Sequence, residues 1–225
     1  MEVGYAILYE DEELVISKNH TILSKKIEID YGKFDDTNVP WKDESSQIKK
    51  VQILDQVKSN CVKEWFETCI NLKTLINFKN LDVSDCKDFS CMFGYCESLQ
   101  DLNGLENWNV SNGTDFFGMF NNCNSLEDIN ALSNWNVSNG VNFSYMFLNC
   151  KSLQDLNALS NWNVSNGTKF NSMFAYCETL KKISLSNTLD ILKKDIFYEC
   201  NTILKIRWKN HIYTYEDLLQ YEEIY

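Results

Sequence analysis

The 225 residues include 44% apolar side chains, enough for a hydrophobic core, and carry a formal net charge of -11 with a pI near 4.7. This excess of carboxylates argues against nucleic acid as a partner, because phosphate backbones require clustered Lys and Arg. No run of about 18 apolar residues is present, so insertion into a membrane is not expected.

Residues 1–50 alternate charged and apolar side chains, as in "EELVIS" and "KKIEIDY". This period of two predicts a small antiparallel sheet that caps one end of the molecule. The start "MEVGYAILYEDEELV" lacks the basic beginning and the long apolar stretch of a secretion signal. We therefore expect a cytoplasmic location if Met1 is the native start, and the cell surface if a leader has been removed.

Residues 51–184 repeat with a period of 27 residues, and side chains of one type recur at equivalent positions. The columns are Phe66, Phe93, Phe120, Phe147 and Phe174; Cys69, Cys96, Cys123, Cys150 and Cys177; and Trp108, Trp135 and Trp162, with Leu81 one repeat earlier. A shortened sixth repeat follows at a 23-residue step with Phe197, Cys200, Ile203 and Ile206. One repeat buries too little apolar surface to fold alone, so the repeats are predicted to stack.

Within a repeat, Phe116, Met119, Phe120 and Cys123 are spaced i, i+3, i+4 and i+7, which predicts one face of a short helix. The following "SLEDIN" predicts a short strand, and "SNG" a turn. After the repeats, residues 185–225 are predicted to form a second cap. There Thr214 and Asp217 have the spacing of a capping box that would start a helix through Leu218 and Leu219.

The segments "LDVSDCKDFSCMFGYCESLQDL" and "NWNVSNGTDFFGMFNNCNSLEDI" resemble the BspA-type leucine-rich repeats of bacterial, archaeal and protist surface proteins. The resemblance extends to "GYAILYEDEELVIS", similar to their N-terminal cap, and to "LKIRWKNHIYTYEDLL", similar to their closing hairpin and helix. It implies an α/β solenoid, a leucine-rich-repeat-like right-handed stack of about six strand-turn-helix coils. It also implies a surface protein that acts in recognition or adhesion.

Catalysis is not predicted, because His20 and His211 lie in opposite caps and no Gly-rich phosphate loop is present. No cofactor is expected. Metal binding is not predicted either: Cys86, Cys91 and Cys96 follow at five-residue steps, whereas zinc ligands are usually two to four residues apart. We interpret Cys86 and Cys91 as small residues near the surface, and the cysteines as free thiols rather than disulfides.

Two further sets of residues have more than one interpretation. The tryptophan column is read as core, because Leu81 shares it, with an exposed sugar-stacking row as the alternative. The Asn-x-Ser/Thr triplets at Asn109, Asn136, Asn163, Asn112 and Asn166 are read as hydrogen-bonding rows in turns, with glycan acceptors of a secretory pathway as the alternative.

The predicted binding face is an acidic row on the predicted strands. Its residues are Gln100, Asp101, Glu127, Asp128, Gln154 and Asp155. Stacked strands about 4.8 Å apart would bring these carboxylates close together. Such a row is either a solvated face that discourages strand aggregation or a surface for a basic partner or a cation.

The sequence thus predicts a non-catalytic recognition protein whose partner is another protein or a cell-surface polymer. The alternative is an intracellular scaffold or a structural component of a larger assembly, for example a virion.

Overall fold

The computed structural model describes residues 2–36, 38–185, 194–200, 205–208, 211–214 and 217. Its strands are β1 (Glu2–Tyr9), β2 (Glu13–Ser17), β3 (Ile27–Asp35), β4 (Lys50–Ile53), β5 (Val57–Lys58), β6 (Thr74–Ile76), β7 (Leu81–Asp82), β8 (Lys182–Leu185), β9 (Lys205–Trp208) and β10 (His211–Thr214). Short 3₁₀ helices span Ser45–Gln47, Phe78–Asn80, Asn130–Leu132, Asn157–Leu159 and Lys194–Phe197.

The N-terminal residues form a sheet that continues into the first repeats. Strand β1 pairs antiparallel with β2 and with β3, and the strand order is β3-β1-β2-β4-β6. The β2–β4 and β4–β6 pairs are parallel. Both faces of β2 are buried, because Leu14 and Ile16 join the main core while Val15 joins a small cluster with Ile7 and Tyr9. The N-terminal sheet is therefore packed on both sides and joined in register to the repeats.

The repeats lie one on another, and we call each a rung, numbered one to six by the phenylalanine it contributes: Phe66, Phe93, Phe120, Phe147, Phe174 and Phe197. Parallel bridges join Asp88 to Asp115, Asp115 to Asn142, and Asn142 to Lys169, at steps of one 27-residue repeat. Neighbouring phenylalanine rings stack throughout, with centroids 5.5–5.7 Å apart. Identical side chains thus fill the same core position in successive rungs.

The predicted helix in each rung is wrong. The segment from Phe89 to Cys96 is a series of tight turns, because Cys91 and Tyr95 have left-handed φ angles of 52° and 61°, whereas an α-helix requires negative φ throughout. Equivalent left-handed pairs recur in the next three rungs: Gly118 and Asn122, Tyr145 and Asn149, and Ser172 and Tyr176. Turns that recur every four residues produce the same apolar spacing as a short helix.

The backbone N–H groups of these turns explain why no helix forms. Cys91 N–H donates to Phe117 O at 2.8 Å, Phe93 N–H to Met119 O at 2.9 Å, and Tyr95 N–H to Asn121 O at 2.6 Å. Alternate residues therefore donate to the next rung, as in a parallel sheet, whereas a helix would use these donors within itself. The same ladder continues from rung three to rung four and onwards.

The strand predicted for "SLEDIN" is also wrong in the middle rungs. Strands occupy the equivalent position in β4, β6 and β8, but Asn130–Leu132 is a 3₁₀ helix. Asp128 Oδ1 accepts the N–H of Asn130 at 2.6 Å, and such a local side-chain bond competes with the strand ladder. Cross-rung bonds remain in this part of the rung, for example from Ser125 N–H to Glu97 O at 3.1 Å and from Glu127 N–H to Gln100 O at 2.9 Å.

The described C-terminal residues form a sheet in the order β10-β9-β8, with β9 and β10 antiparallel. Thr214 and Asp217 make the reciprocal bonds of a capping box: Thr214 N–H donates to Asp217 Oδ2 at 2.6 Å, and Asp217 N–H donates to Thr214 Oγ1 at 3.1 Å. Ile203, Leu218 and Leu219 lie outside the described residues. Within the described ranges, no helix has the length and apolar composition that crossing a bilayer requires.

Candidate functional site

The cysteine column forms a buried ladder. Each thiol from rung two onwards donates to the phenylalanine carbonyl of the preceding rung, for example Cys96 Sγ to Phe66 O at 3.1 Å and Cys123 Sγ to Phe93 O at 3.2 Å. The equivalent bonds of Cys150, Cys177 and Cys200 measure 3.2, 3.2 and 2.9 Å. Burial raises the pKa of the Cys69 thiol to about 12 and lifts that of Cys150 well above its usual range. Protonated thiols are poor nucleophiles and metal ligands, so this column is structural.

The three cysteines of "CKDFSCMFGYC" lie in different environments. Cys86 is fully buried and donates to Asp88 O at 3.2 Å. The prediction of a near-surface position is therefore wrong for Cys86, and its small side chain fills the core where other rungs have glycine. Cys91 is half-buried and Cys96 belongs to the buried ladder. Among the described residues, no three His, Cys, Asp or Glu side chains are grouped as a metal site would require.

The tryptophan column lies in the core. Trp108 Nε1 donates to Phe78 O at 2.8 Å, and Trp135 and Trp162 make the equivalent bonds to Leu105 O and Leu132 O at 2.9 Å. Their indoles stack on one another and are only 4–6% exposed. No ring face is therefore open to a sugar, and each indole instead joins two rungs.

The acidic row is exposed, but each aspartate has a local structural role. Asp101, Asp128 and Asp155 accept the N–H two residues further along the chain, at 3.0, 2.6 and 2.9 Å. Gln100, Glu127 and Gln154 are exposed beside them. In Asp128 and Asp155 this bond precedes a 3₁₀ helix, so the carboxylates shape the turn whether or not a partner is present.

The "SNG" turns contain an asparagine ladder. Asn112, Asn139 and Asn166 donate from Nδ2 to the carbonyls of Ser84, Ser111 and Ser138 in the preceding rung, at 2.7–2.8 Å. Asn109, Asn136 and Asn163 accept the N–H two residues further on, at 3.2 Å. These side chains therefore tie the turns together.

The tight turns present a separate surface that we call the turn face. It comprises the exposed and half-buried residues Cys91, Tyr95, Phe117, Asn121, Asn122, Tyr145, Leu148, Asn149, Asn171, Ser172, Tyr176 and Tyr198. None of them carries a charge, although 24% of the chain is charged. The second to fifth rungs each contribute one aromatic ring: Tyr95, Phe117, Tyr145 and Tyr176. The sixth rung adds Tyr198, but it also places the exposed carboxylates of Asp195 and Glu199 at the positions of Ser172 and Tyr176.

Charged residues border the turn face on both sides. Lys87, Asp88, Asp115 and Lys169 precede it in their rungs, while Glu97, Lys151 and Glu178 follow it. Lys151 and Glu178 form an ion pair between rungs at 3.1 Å. The first rung also carries charge at the equivalent position, where Glu64 pairs with Lys42. The turn face is thus an uncharged strip with charged margins.

The turn face is held in place by contacts between rungs as well as by the backbone ladder. The Phe117 and Tyr145 rings meet edge to face at 5.4 Å, and the Tyr176 and Tyr198 rings at 5.6 Å. Asn149 Nδ2 donates to Asn122 Oδ1 across one rung boundary. These side chains are therefore ordered before any partner arrives, which lowers the entropy cost of binding.

Sequence reasoning passed over this surface because it assigned the segment to a helix and followed only its buried positions. The available signal was the absence of charge from Ser90 to Cys96 and from Phe116 to Cys123, repeated in the next two rungs. His20 lies elsewhere, in the connection between β2 and β3, where its Nε2 is 2.7 Å from Asp30 Oδ2.

Comparisons with known proteins place the repeats in a family. A search of the curated proteins finds no match. The crystal structure of a leucine-rich repeat protein from Bacteroides ovatus is similar at 14% identity and a TM-score of 0.41, covering 93% of this chain and 52% of that chain. The chain thus spans about half the length of that protein. Residues 60–188, more than half of the chain, match the model described as "Mycoplasma protein of unknown function, DUF285". The chain belongs to this DUF285 family.

Proposed function

We propose that the chain is a non-catalytic recognition protein, a BspA-like leucine-rich-repeat solenoid whose contact surface is the turn face. Its partner is another protein or a cell-surface polymer. The observation that carries the proposal is the uncharged strip of rings and amides that extends over the second to fifth rungs of an otherwise acidic chain.

The composition of the turn face supports a role in recognition. Tyr, Ser and Asn supply nine of its twelve residues. These are the residues that antibody paratopes favour, because Tyr offers a large contact area at low entropy cost and Asn and Ser adapt their hydrogen bonds. Charged residues are depleted at the centres of protein interfaces and common at their rims, which is the arrangement found here.

The acidic row is the weaker candidate for the contact surface. Its three aspartates are accounted for by the turns that they stabilise. Exposed carboxylates also keep an acidic protein soluble, whereas exposed rings such as Tyr95 and Tyr176 oppose solubility. A row of such rings therefore calls for a functional reason more strongly than a row of carboxylates does.

The proposal is tested by placing charge on the turn face. In the double variant Phe117→Lys and Asn171→Lys, both substituted side chains are exposed and occupy the same position in the third and fifth rungs. The matched control is the triple variant Asp101→Asn, Asp128→Asn and Asp155→Asn, which changes charge on the acidic row. Each protein is immobilised and exposed to a whole-cell extract that includes envelope material.

We expect the lysine variant to lose the bound components that the parent retains, and the asparagine variant to keep them. The opposite pattern, with loss only in the asparagine variant, would show that the acidic row is the contact surface. Circular dichroism and the thermal midpoint establish that both variants are folded.

A further inference from the structure

We infer that the turn face binds an uncharged polysaccharide chain that runs along the stack of rungs. This inference rests on the proposed function and specifies the class of its partner. It draws on three features of the turn face: its lack of charge, the order of its aromatic rings, and the polar groups between them.

The first feature concerns the charge of the ligand. From the second to the fifth rung, the turn face offers no cation for a sulfated or carboxylated polymer and no carboxylate for a basic one. A charged polymer lying on the strip would lose part of the hydration of its charged groups and would find no opposite charge there to compensate. The electrostatics therefore select a neutral ligand.

The second feature is the spacing of the aromatic rings. Tyr95, Phe117, Tyr145, Tyr176 and Tyr198 belong to five successive rungs, one ring to each rung. Strand-like rungs that exchange backbone hydrogen bonds lie about 4.8 Å apart. The rings therefore follow one another along the stack at different positions within their rungs, with Phe117 meeting Tyr145 and Tyr176 meeting Tyr198. Such a series of rings fits a ligand that is itself an extended chain of similar units.

The third feature is the alternation of apolar and polar groups. Aromatic rings offer apolar contact area, and the tyrosines add a hydroxyl group. Between them lie the amides of Asn121, Asn122, Asn149 and Asn171, which contain both donors and acceptors. A pyranose has apolar C–H faces and hydroxyl groups on its rim, so a sugar chain presents the complementary alternation along its length.

The surface fits a polysaccharide better than it fits a second protein. Protein hot spots are enriched in Trp, Tyr and Arg that fill pockets on the partner. The turn face contains no Arg, Met or Trp, and its most exposed rings, those of Tyr95, Tyr176 and Tyr198, are only 42–45% exposed. Rings that are less than half exposed provide shallow stacking platforms rather than anchors.

The inference is tested by affinity electrophoresis in native gels with soluble neutral polysaccharides: xylan, dextran, mannan, laminarin and hydroxyethyl cellulose. Heparin and polygalacturonate serve as charged probes. We expect at least one neutral polysaccharide to retard the parent protein and neither charged polymer to do so. Retardation should persist between about 50 and 500 mM salt, where ionic contacts are screened.

The binding variant is Phe117→Ala combined with Tyr145→Ala, which removes the rings of two adjacent rungs. We expect it to weaken retardation at least fivefold, while the control variant Asp128→Asn leaves retardation unchanged. Because the rings lie at the surface, both variants should fold, and circular dichroism checks this.

The inference is overturned if none of the neutral polysaccharides retards the parent, if the charged polymers bind instead, or if the double alanine variant binds as well as the parent. The proposed function fails separately. A captured protein that depends on the turn face would refute the polysaccharide but leave recognition at this face in place, whereas binding that survives lysines on the turn face would refute both.

Discussion

The replacement Gly118→Ala distinguishes the turns in the structure from the helix that the sequence predicts. In a helix this change should stabilise the protein by about 0.5–1 kcal/mol, because glycine is a poor helix former. In the structure Gly118 has φ of +56°, and a Cβ there would lie 3.3 Å from Cys91 Sγ. A left-handed conformation costs a residue with a Cβ about 1–2 kcal/mol. The sign of the effect is therefore reversed between the two alternatives.

The matched control is Gly94→Ala in the preceding rung. Gly94 lies outside the left-handed region, and its added Cβ would make only contacts of 3.4 Å or longer. Loss of chain entropy in the unfolded state should make this change neutral or stabilising by up to about 1 kcal/mol. The two glycines lie three residues apart when their rungs are superimposed, so both would be interior to the predicted helix.

The measurement is the free energy of unfolding from urea titrations followed by circular dichroism. We expect Gly118→Ala to be about 1–2 kcal/mol less stable than the parent and Gly94→Ala to be at least as stable. If Gly118→Ala proved more stable than the parent, the turn geometry of these segments would be wrong and the helical alternative correct.

Four further outcomes are expected. Phe120→Ala, which removes a fully buried ring stacked between two neighbours, should lower the free energy of unfolding by about 3–5 kcal/mol, and a loss below about 1 kcal/mol would contradict its core position. Native-state alkylation followed by mass spectrometry should label the half-buried Cys61 and Cys91 before any thiol of the buried column; early labelling of Cys123 would refute the ladder. The triple Asp-to-Asn variant of the acidic row should be slightly more stable in urea, because asparagine keeps the turn bond and removes like charges, and a loss above about 1 kcal/mol would show that the charge itself is needed. Burial raises the pKa of Cys69 and of Cys200 to about 12 each, above the unfolded value of about 8.5. The contribution of these two thiols to the free energy of unfolding is therefore full below about pH 8.5 and is lost as the pH rises towards 12. Replacing both with Ala should flatten the fall in the free energy of unfolding between about pH 9 and 11, and an unchanged slope would contradict their burial.

The columns of the repeat were accessible from the sequence, because a position that faces its own copy in the next rung needs a side chain that packs against itself. The substitution of Leu81 in the tryptophan column was enough to indicate a core position, and the structure buries Trp108 and its copies. The interpretation of this column therefore depended only on packing chemistry, which does not change with the local backbone conformation.

The backbone path within a rung could not be predicted in the same way. Over eight residues, a helix of 3.6 residues per turn and a series of turns repeating every four residues place the same side chains in the core. Only the φ angles of residues such as Tyr95 and Asn122 separate them, and Tyr gives no hint of a left-handed angle. The strand around Asp128 was predicted from its apolar neighbours, but the local bond to Asn130 has no counterpart in a periodicity argument.

The turn face was not predicted from the sequence, for a related reason. The acidic row was predicted because residues between the inward Leu and Ile positions of stacked strands face outward, and the sequence places carboxylates there. The turn face is recognised by what its columns lack, and this becomes evident only when the outward positions of four rungs are compared. Once Phe117 and Tyr145 are known to meet at the surface, the uncharged strip becomes the more informative pattern.

The bonds between rungs also bear on how this gene can change. Each thiol of the buried column and each asparagine of the "SNG" turns bonds to a main-chain carbonyl, so the partner it needs is supplied by any rung of the same design. Near-identical copies of the repeat begin at Asn107, Asn134 and Asn161. Unequal recombination between the gene segments that encode such copies would add or remove 27 residues at a time. Each new junction would again join two rungs of the same design. Length, and with it the extent of the uncharged strip, can therefore vary between related genes without any new contact having to evolve.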